Sequence, residues 1–168
     1  RFVVLFLMLG VGFMLAEISL TQRLILFLGQ PVLSLAVLLF ALLVGAGIGS
    51  IYSGRFTSDK IIKVIAVVSI SIVAMLLSYT FLLPLILDQL LGLDLVIRLL
   101  ATVVMLIPLG FLMGFPFPLG IRMLKEMKME EYIPWMWGIN GIGSVLGSVA
   151  TIVIAISSGF TGALLIGA

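Results

Sequence analysis

Six polar residues lie within or beside long apolar runs: Glu17, Thr21, Gln22, Arg23, Arg98 and Asn140. A carboxylate inside an apolar span costs roughly 3 kcal/mol or more unless it is paired, protonated or faces an aqueous cavity. Glu17 is therefore the first candidate for binding a proton, an ion or a substrate. The alternative is a structural ion pair or hydrogen bond that fixes helix packing.

The spacing along a helix restricts the partners of Glu17. Thr21 follows one turn later on the same face, whereas Arg23 is six residues on and points elsewhere. We therefore expect a partner on another span, and Arg98 is one candidate. Gln22 and Arg23 lie close enough to a membrane boundary to reach it. The amide of Asn140 is expected to bond across helices or to a ligand.

The sequence has no Cys and no His. Disulfides, thiol nucleophiles, the usual zinc ligand sets and imidazole acid–base chemistry are therefore excluded. We predict no catalytic residue, no metal site and no cofactor in this segment. The net charge is +2, and the Lys and Arg residues are dispersed, which argues against a nucleic-acid partner.

The composition predicts an all-α, polytopic transmembrane bundle. Of 168 residues, 63% are hydrophobic and 10% are charged, whereas soluble domains carry roughly a quarter charged residues. Crossing the hydrocarbon core takes roughly 20 helical residues. We predict one domain with spans over residues 2–28, 31–52, 64–87, 95–119 and 135–157, and the start of a sixth at 161–168. We expect the chain to be a segment of a longer protein.

Lys and Arg alternate between the loops, and short basic loops are retained in the cytoplasm. The loops 53–63 and 122–134 are rich in Lys and Arg, while the turns between the other spans have neither. The pattern predicts a multi-pass protein of the cell membrane with both basic loops in the cytoplasm.

Small residues and prolines indicate how the helices pack and where they break. Small residues recur every four positions at Ala41, Gly45, Gly49 and Ser53, and at Gly143, Gly147 and Thr151. Such stripes let helix backbones approach closely. Pro108, Pro116 and Pro118 predict that the fourth span bends or ends early, near residues 114–118. Broken helices line binding sites in transporters, but a helix ending at the membrane surface explains Pro116 and Pro118 as well.

Several motifs occur in order along nearly the whole chain: GFMLAEISLTQR at 12–23, LGQP at 28–31, GAGIGS at 45–50, PLGFLMGFPFPLG at 108–120 and WMWGING at 135–141. With them the chain resembles the C-terminal membrane half of bacterial spermidine-synthase-like membrane proteins. The resemblance implies a major-facilitator-like half of six helices, joined in the full protein to a second membrane half and a soluble aminopropyltransferase-like domain. It also carries over Glu17, Gln22, Arg23 and Asn140 as polar signature residues.

Three functions are compatible with these features. We favour a membrane domain that anchors or serves the synthase-like domain, with the lipid bilayer and the remaining domains of the polypeptide as partners. The alternative is a secondary transporter bundle for a small cationic or polar solute, with Glu17, Arg98 and the broken fourth span around its site. A structural or assembly module is the third, because the small-residue stripes need no ligand.

Overall fold

The computed structural model describes residues 2–167, which are almost entirely helical and contain no β-strand. The helices are α1 (Phe2–Leu28), α2 (Pro31–Ser53), α3 (Ile61–Leu90), α4 (Leu95–Met113), α5 (Pro116–Glu126) and α6 (Ile133–Gly167), with short 3-10 turns at Ser58–Lys60 and Glu130–Tyr132. The predicted all-α bundle is confirmed.

Five helical stretches are long and apolar enough to cross a membrane, with α4 and α5 together forming the fourth. Their outward faces carry many exposed large hydrophobic side chains, such as Phe40, Ile70, Val104 and Ile156. Such faces suit lipid rather than water as the surrounding solvent.

The third helix extends three residues beyond the predicted span at each end, because hydropathy marks the hydrocarbon core and not the last hydrogen-bonded turn. The predicted loop 122–134 is partly wrong. Arg122 and Lys125 lie on α5, which begins with Pro116 in its first turn and buries Leu119 and Leu124.

The prolines act differently from one another. The chain breaks between α4 and α5 at residues 114–115, as predicted. Pro108 does not end a helix, because α4 continues through it, and Pro118 lies inside α5. Pro84, which was not among the predicted helix breaks, also lies inside a continuous helix.

Within α6, Gly159 has φ 72° and ψ 171°, a left-handed conformation that glycine adopts without steric cost. The residues that follow, 160–167, are called here the terminal segment. Thr161 lies beside Arg23, and a Cβ on Gly167 would touch the side chain of Leu15. The terminal segment therefore runs back along α1, antiparallel to it, as predicted for the start of a sixth span.

Two pairs of helices pack backbone to backbone, α1 with α6 and α2 with α4. A Cβ on Gly147 would stand 2.8 Å from the carbonyl oxygen of Val11, and a Cβ on Gly45 would stand 2.5 Å from that of Ile107. These glycines belong to the two small-residue stripes, and only a residue without a side chain permits this approach.

The two pairs share one register. In the α1–α6 pair, Gly143 lies against Leu7 and Asn140 lies against Gly10. At the matching places in the α2–α4 pair, Gly49 lies against Phe111 and Ala46 lies against Gly114. In both cases the α6 residue lies 94 residues after its α2 counterpart, and the residue at the C-terminal end of α4 lies 104 residues after its α1 counterpart. The tetrapeptide Gly-Ile-Gly-Ser recurs at the same 94-residue shift, at 47–50 and 141–144.

The two basic segments, residues 53–63 and 122–134, meet at one end of the bundle, called here the basic end. Arg122 donates to the carbonyl oxygen of Phe56 at 2.6 Å, and Ser58 donates to Glu126. The helices of each pair therefore run parallel, and α1 and α6 run opposite to α2 and α4. This is the arrangement that an inverted repeat relating α1 to α4 and α2 to α6 would have.

Candidate functional site

One cavity lies in the half of the bundle toward the basic end and has a volume of about 470 Å³. It is called here the basic-end cavity. Its walls come from α1, α3, the α4–α5 break, α6 and the terminal segment, and its lining includes Leu9, Gly12, Ser69, Ile72, Met113, Phe117, Asn140, Ser144 and Gly167. The lining is mainly apolar with a few polar groups, which is the usual composition of a small-molecule site.

Asn140 and Ser144 are brought to the cavity by the close approach of α6 to α1. Gly10 permits that approach, because a Cβ there would collide with the backbone at both residues. The amide nitrogen of Asn140 donates to the carbonyl oxygen of Phe6 at 3.0 Å, and Ser144 donates to the carbonyl oxygen of Asn140 at 3.1 Å. The Asn140 amide oxygen and the Ser144 oxygen are left as acceptors for a solute.

Glu17 is half-buried on α1 and does not line this cavity. Thr21 donates to its backbone carbonyl at 2.8 Å and not to its carboxylate. Across residues 2–167 the one ion pair is Arg122 with Glu126, at 3.4 Å. The suggested pairing of Glu17 with Arg98 is therefore wrong.

Arg98 instead closes the C-terminal end of α1. Its guanidinium donates to the carbonyl oxygen of Phe27 at 2.7 Å and lies 5.6 Å from the centre of the Phe27 ring. The last four carbonyl groups of a helix have no intrahelical donor, and a cation there also opposes the negative end of the helix dipole. This contact gives Arg98 a structural role.

Arg23 joins α1 to α3 and to the terminal segment. It donates to the carbonyl oxygens of Tyr79 at 3.2 Å and Thr80 at 3.1 Å, and to the hydroxyl of Thr161 at 2.9 Å. Thr80 precedes Pro84 by four residues, so its carbonyl lacks the amide donor that any other residue would supply. The guanidinium of Arg23 replaces that donor.

Tyr79 is the polar residue that sequence reasoning missed. Its hydroxyl donates to the carbonyl oxygen of Met105, three residues before Pro108, where the ring of the proline disturbs the helical hydrogen bonds. Pro84 in α3 and Pro108 in α4 are thus each accompanied by a side-chain donor from a neighbouring helix. The sequence shows a tyrosine in one apolar span and a proline in another. Only the fold shows that the two spans are neighbours.

The structure does not gather the six candidates into one site. Asn140 lines the basic-end cavity, Arg23 lines a second cavity near the opposite end, and Glu17, Thr21, Gln22 and Arg98 line neither. Within residues 2–167, no three Asp or Glu side chains are grouped in a way that would hold a metal ion. The basic-end cavity offers hydrogen-bond acceptors in an apolar setting, which suits binding.

The fold defines the chain as an all-α bundle of the multi-pass membrane type. Comparisons with protein-family models, with curated proteins and with solved structures found no match.

Proposed function

We propose that the chain is a membrane domain that binds a small polar or cationic solute in the basic-end cavity, as one half of a secondary transporter. The observation that carries this proposal is the repeated register of the pairs α1–α6 and α2–α4, together with a cavity lined by α1, α6 and the junction of α4 with α5. Inverted repeats with a binding site at their interface are the common plan of secondary transporters.

The basic end is assigned to the cytoplasm. Arg55, Lys60 and Lys63 precede or begin α3, and Arg122, Lys125 and Lys128 lie on α5 or just after it. Short segments with such a bias are retained on the cytoplasmic side. The basic-end cavity then occupies the cytoplasmic half of the bundle.

Two serines on α6 provide a matched test. Ser144 and Ser148 both donate to the carbonyl four residues earlier, at 3.1 and 2.8 Å, but only Ser144 lines the cavity. In liposomes containing the full-length protein, Ser144→Ala should lower uptake of a polyamine or another small cation about fivefold, the equivalent of one lost hydrogen bond of about 1 kcal/mol. Ser148→Ala should leave uptake unchanged.

The same assay can contradict the proposal. No uptake by the unmodified protein, or equal loss in both serine variants, would count against a solute site in this cavity. Glu17→Gln serves as a further variant, because its carboxylate is half-buried and outside the lining. Loss of uptake in that variant alone would indicate that the solute binds near the middle of α1 and not in the basic-end cavity.

A second candidate is the membrane domain of a spermidine-synthase-like protein, as the sequence motifs suggest. The contacts of Arg122 with Phe56 and of Ser58 with Glu126 support it, because they order the basic end into a surface on which a cytoplasmic domain can dock. Aminopropyl transfer by the purified full-length protein would favour this function. An absence of both that activity and an S-adenosyl-binding domain in the same reading frame would exclude it.

A further inference from the structure

The second cavity has a volume of about 310 Å³ and lies between α1, α3 and the terminal segment, away from the basic end. Its lining is mostly apolar and includes Leu26, Phe27, Pro84, Leu87 and Leu91. Two charged residues of opposite sign also line it, Arg23 and Asp88. It shares no lining residue with the basic-end cavity, so its function can be tested separately.

Arg23 is held in place without a counter-ion. Three of its hydrogen bonds go to Tyr79, Thr80 and Thr161, all of them neutral acceptors. A guanidinium has five N–H donors, so donors remain for a ligand. No carboxylate oxygen in residues 2–167 lies within 4 Å of the guanidinium, since Arg122 with Glu126 is the one ion pair there. The cavity thus contains a fixed positive charge that no carboxylate contacts directly.

Asp88 provides the opposite charge farther along α3. Eight residues separate it from Thr80, which is about 12 Å along a helix axis. That separation explains why Asp88 and Arg23 form no ion pair. It leaves room for a ligand that accepts hydrogen bonds of about 3 Å from Arg23 and donates one of similar length to Asp88.

The geometry points to a zwitterion bound in this cavity, with its anionic oxygens on Arg23 and its ammonium group on Asp88. A phosphoethanolamine lipid headgroup and a free phosphoethanolamine molecule share this chemistry. The lipid is the assigned source, because the lining is mostly apolar and Leu26 at the rim is 83% exposed, open to acyl chains. Arginine is also well suited to phosphate, which it contacts through two parallel hydrogen bonds.

The test measures lipid binding to the full chain in detergent micelles by native mass spectrometry. The probes are lipids with phosphoethanolamine, phosphocholine and phosphoglycerol headgroups and the same acyl chains, together with soluble phosphoethanolamine. We expect the phosphoethanolamine lipid to bind most tightly. Arg23→Gln should weaken its binding at least about tenfold, since hydrogen bonds to charged groups are the strong ones.

Asp88→Asn supplies the second variant, and it should fold as the unmodified chain does because the side chain of Asp88 is exposed. This variant should lose the preference for phosphoethanolamine over phosphoglycerol lipid while still binding both. Arg122→Gln is the matched control, because Arg122 also donates to a carbonyl but lies at the basic end, away from this cavity. It should bind as the unmodified chain does.

Each other result overturns part of the assignment. Equal binding of the three lipids, or a preference that survives Asp88→Asn, refutes the zwitterion site. Soluble phosphoethanolamine binding as tightly as the lipid refutes the lipid source and assigns the same chemistry to a free solute. Equal loss in Arg122→Gln would mean that the cavity is not where the lipid binds.

Discussion

The hydrogen bond from Arg23 to Thr80 depends on Pro84, and a double-mutant cycle can measure that dependence. In the unmodified chain, the guanidinium satisfies the carbonyl that Pro84 leaves without an amide donor. Arg23→Ala leaves this carbonyl unsatisfied, at a cost of about 1 to 3 kcal/mol. With Pro84→Ala, residue 84 has an amide that can bond Thr80, so Arg23→Ala should then cost less.

The coupling between the two substitutions should be about 1 kcal/mol. Hydrogen bonds between membrane helices average about 0.6 kcal/mol and reach about 1.7 kcal/mol, while an unsatisfied carbonyl in a low-dielectric region raises the value. Arg23→Ala also removes a half-buried charge, which favours folding and offsets part of the single-variant cost. The cycle cancels that contribution, because the charge is lost in both backgrounds.

The assay is reversible unfolding of the four proteins in mixed micelles with increasing dodecyl sulfate. The control cycle pairs Pro84→Ala with Arg98→Ala. Arg98 donates to the carbonyl oxygen of Phe27 and not to that of Thr80, which Pro84 leaves without an amide donor. Its coupling should be close to zero. A coupling between Arg23 and Pro84 that is no larger than this control would refute the replacement of the missing amide.

Three further predictions follow from the packing and the loops. Gly49→Val should destabilise the bundle by about 2 kcal/mol or more, since its Cβ would overlap the carbonyl oxygen of the facing helix. Gly47→Val should be nearly neutral, because a Cβ there has no atom within 4 Å, and equal unfolding midpoints for the two variants would contradict this prediction. Tyr79→Phe should cost about 1 kcal/mol by losing the bond to α4, and an unchanged midpoint would show that the carbonyl of α4 needs no such donor. Cysteines placed at Lys60 and Lys125 should react with an impermeant thiol reagent from the same side of the membrane only, and labelling from opposite sides would contradict the shared basic end.

Composition and the lengths of the apolar runs were sufficient to predict the helices, because a chain in lipid must satisfy its backbone hydrogen bonds within each span. The first helix occupies the predicted residues 2–28, and the turn at Gly159 sends the terminal segment back along α1. Helix ends outside the hydrocarbon were predicted less well, as α5 and the extended α3 show. There the polar residues remain solvated whether or not the backbone is helical.

The sequence by itself determined that this is an all-α bundle of the membrane type, and where its small-residue stripes lie. Tertiary structure decided which helices those stripes join, and with that the partners of Arg23, Arg98 and Asn140. The reason is physical: apolar burial is a property of each span, whereas a polar side chain bonds whichever unsatisfied carbonyl the packing brings within about 3 Å. For Arg23 that carbonyl is on Thr80, 57 residues along the chain.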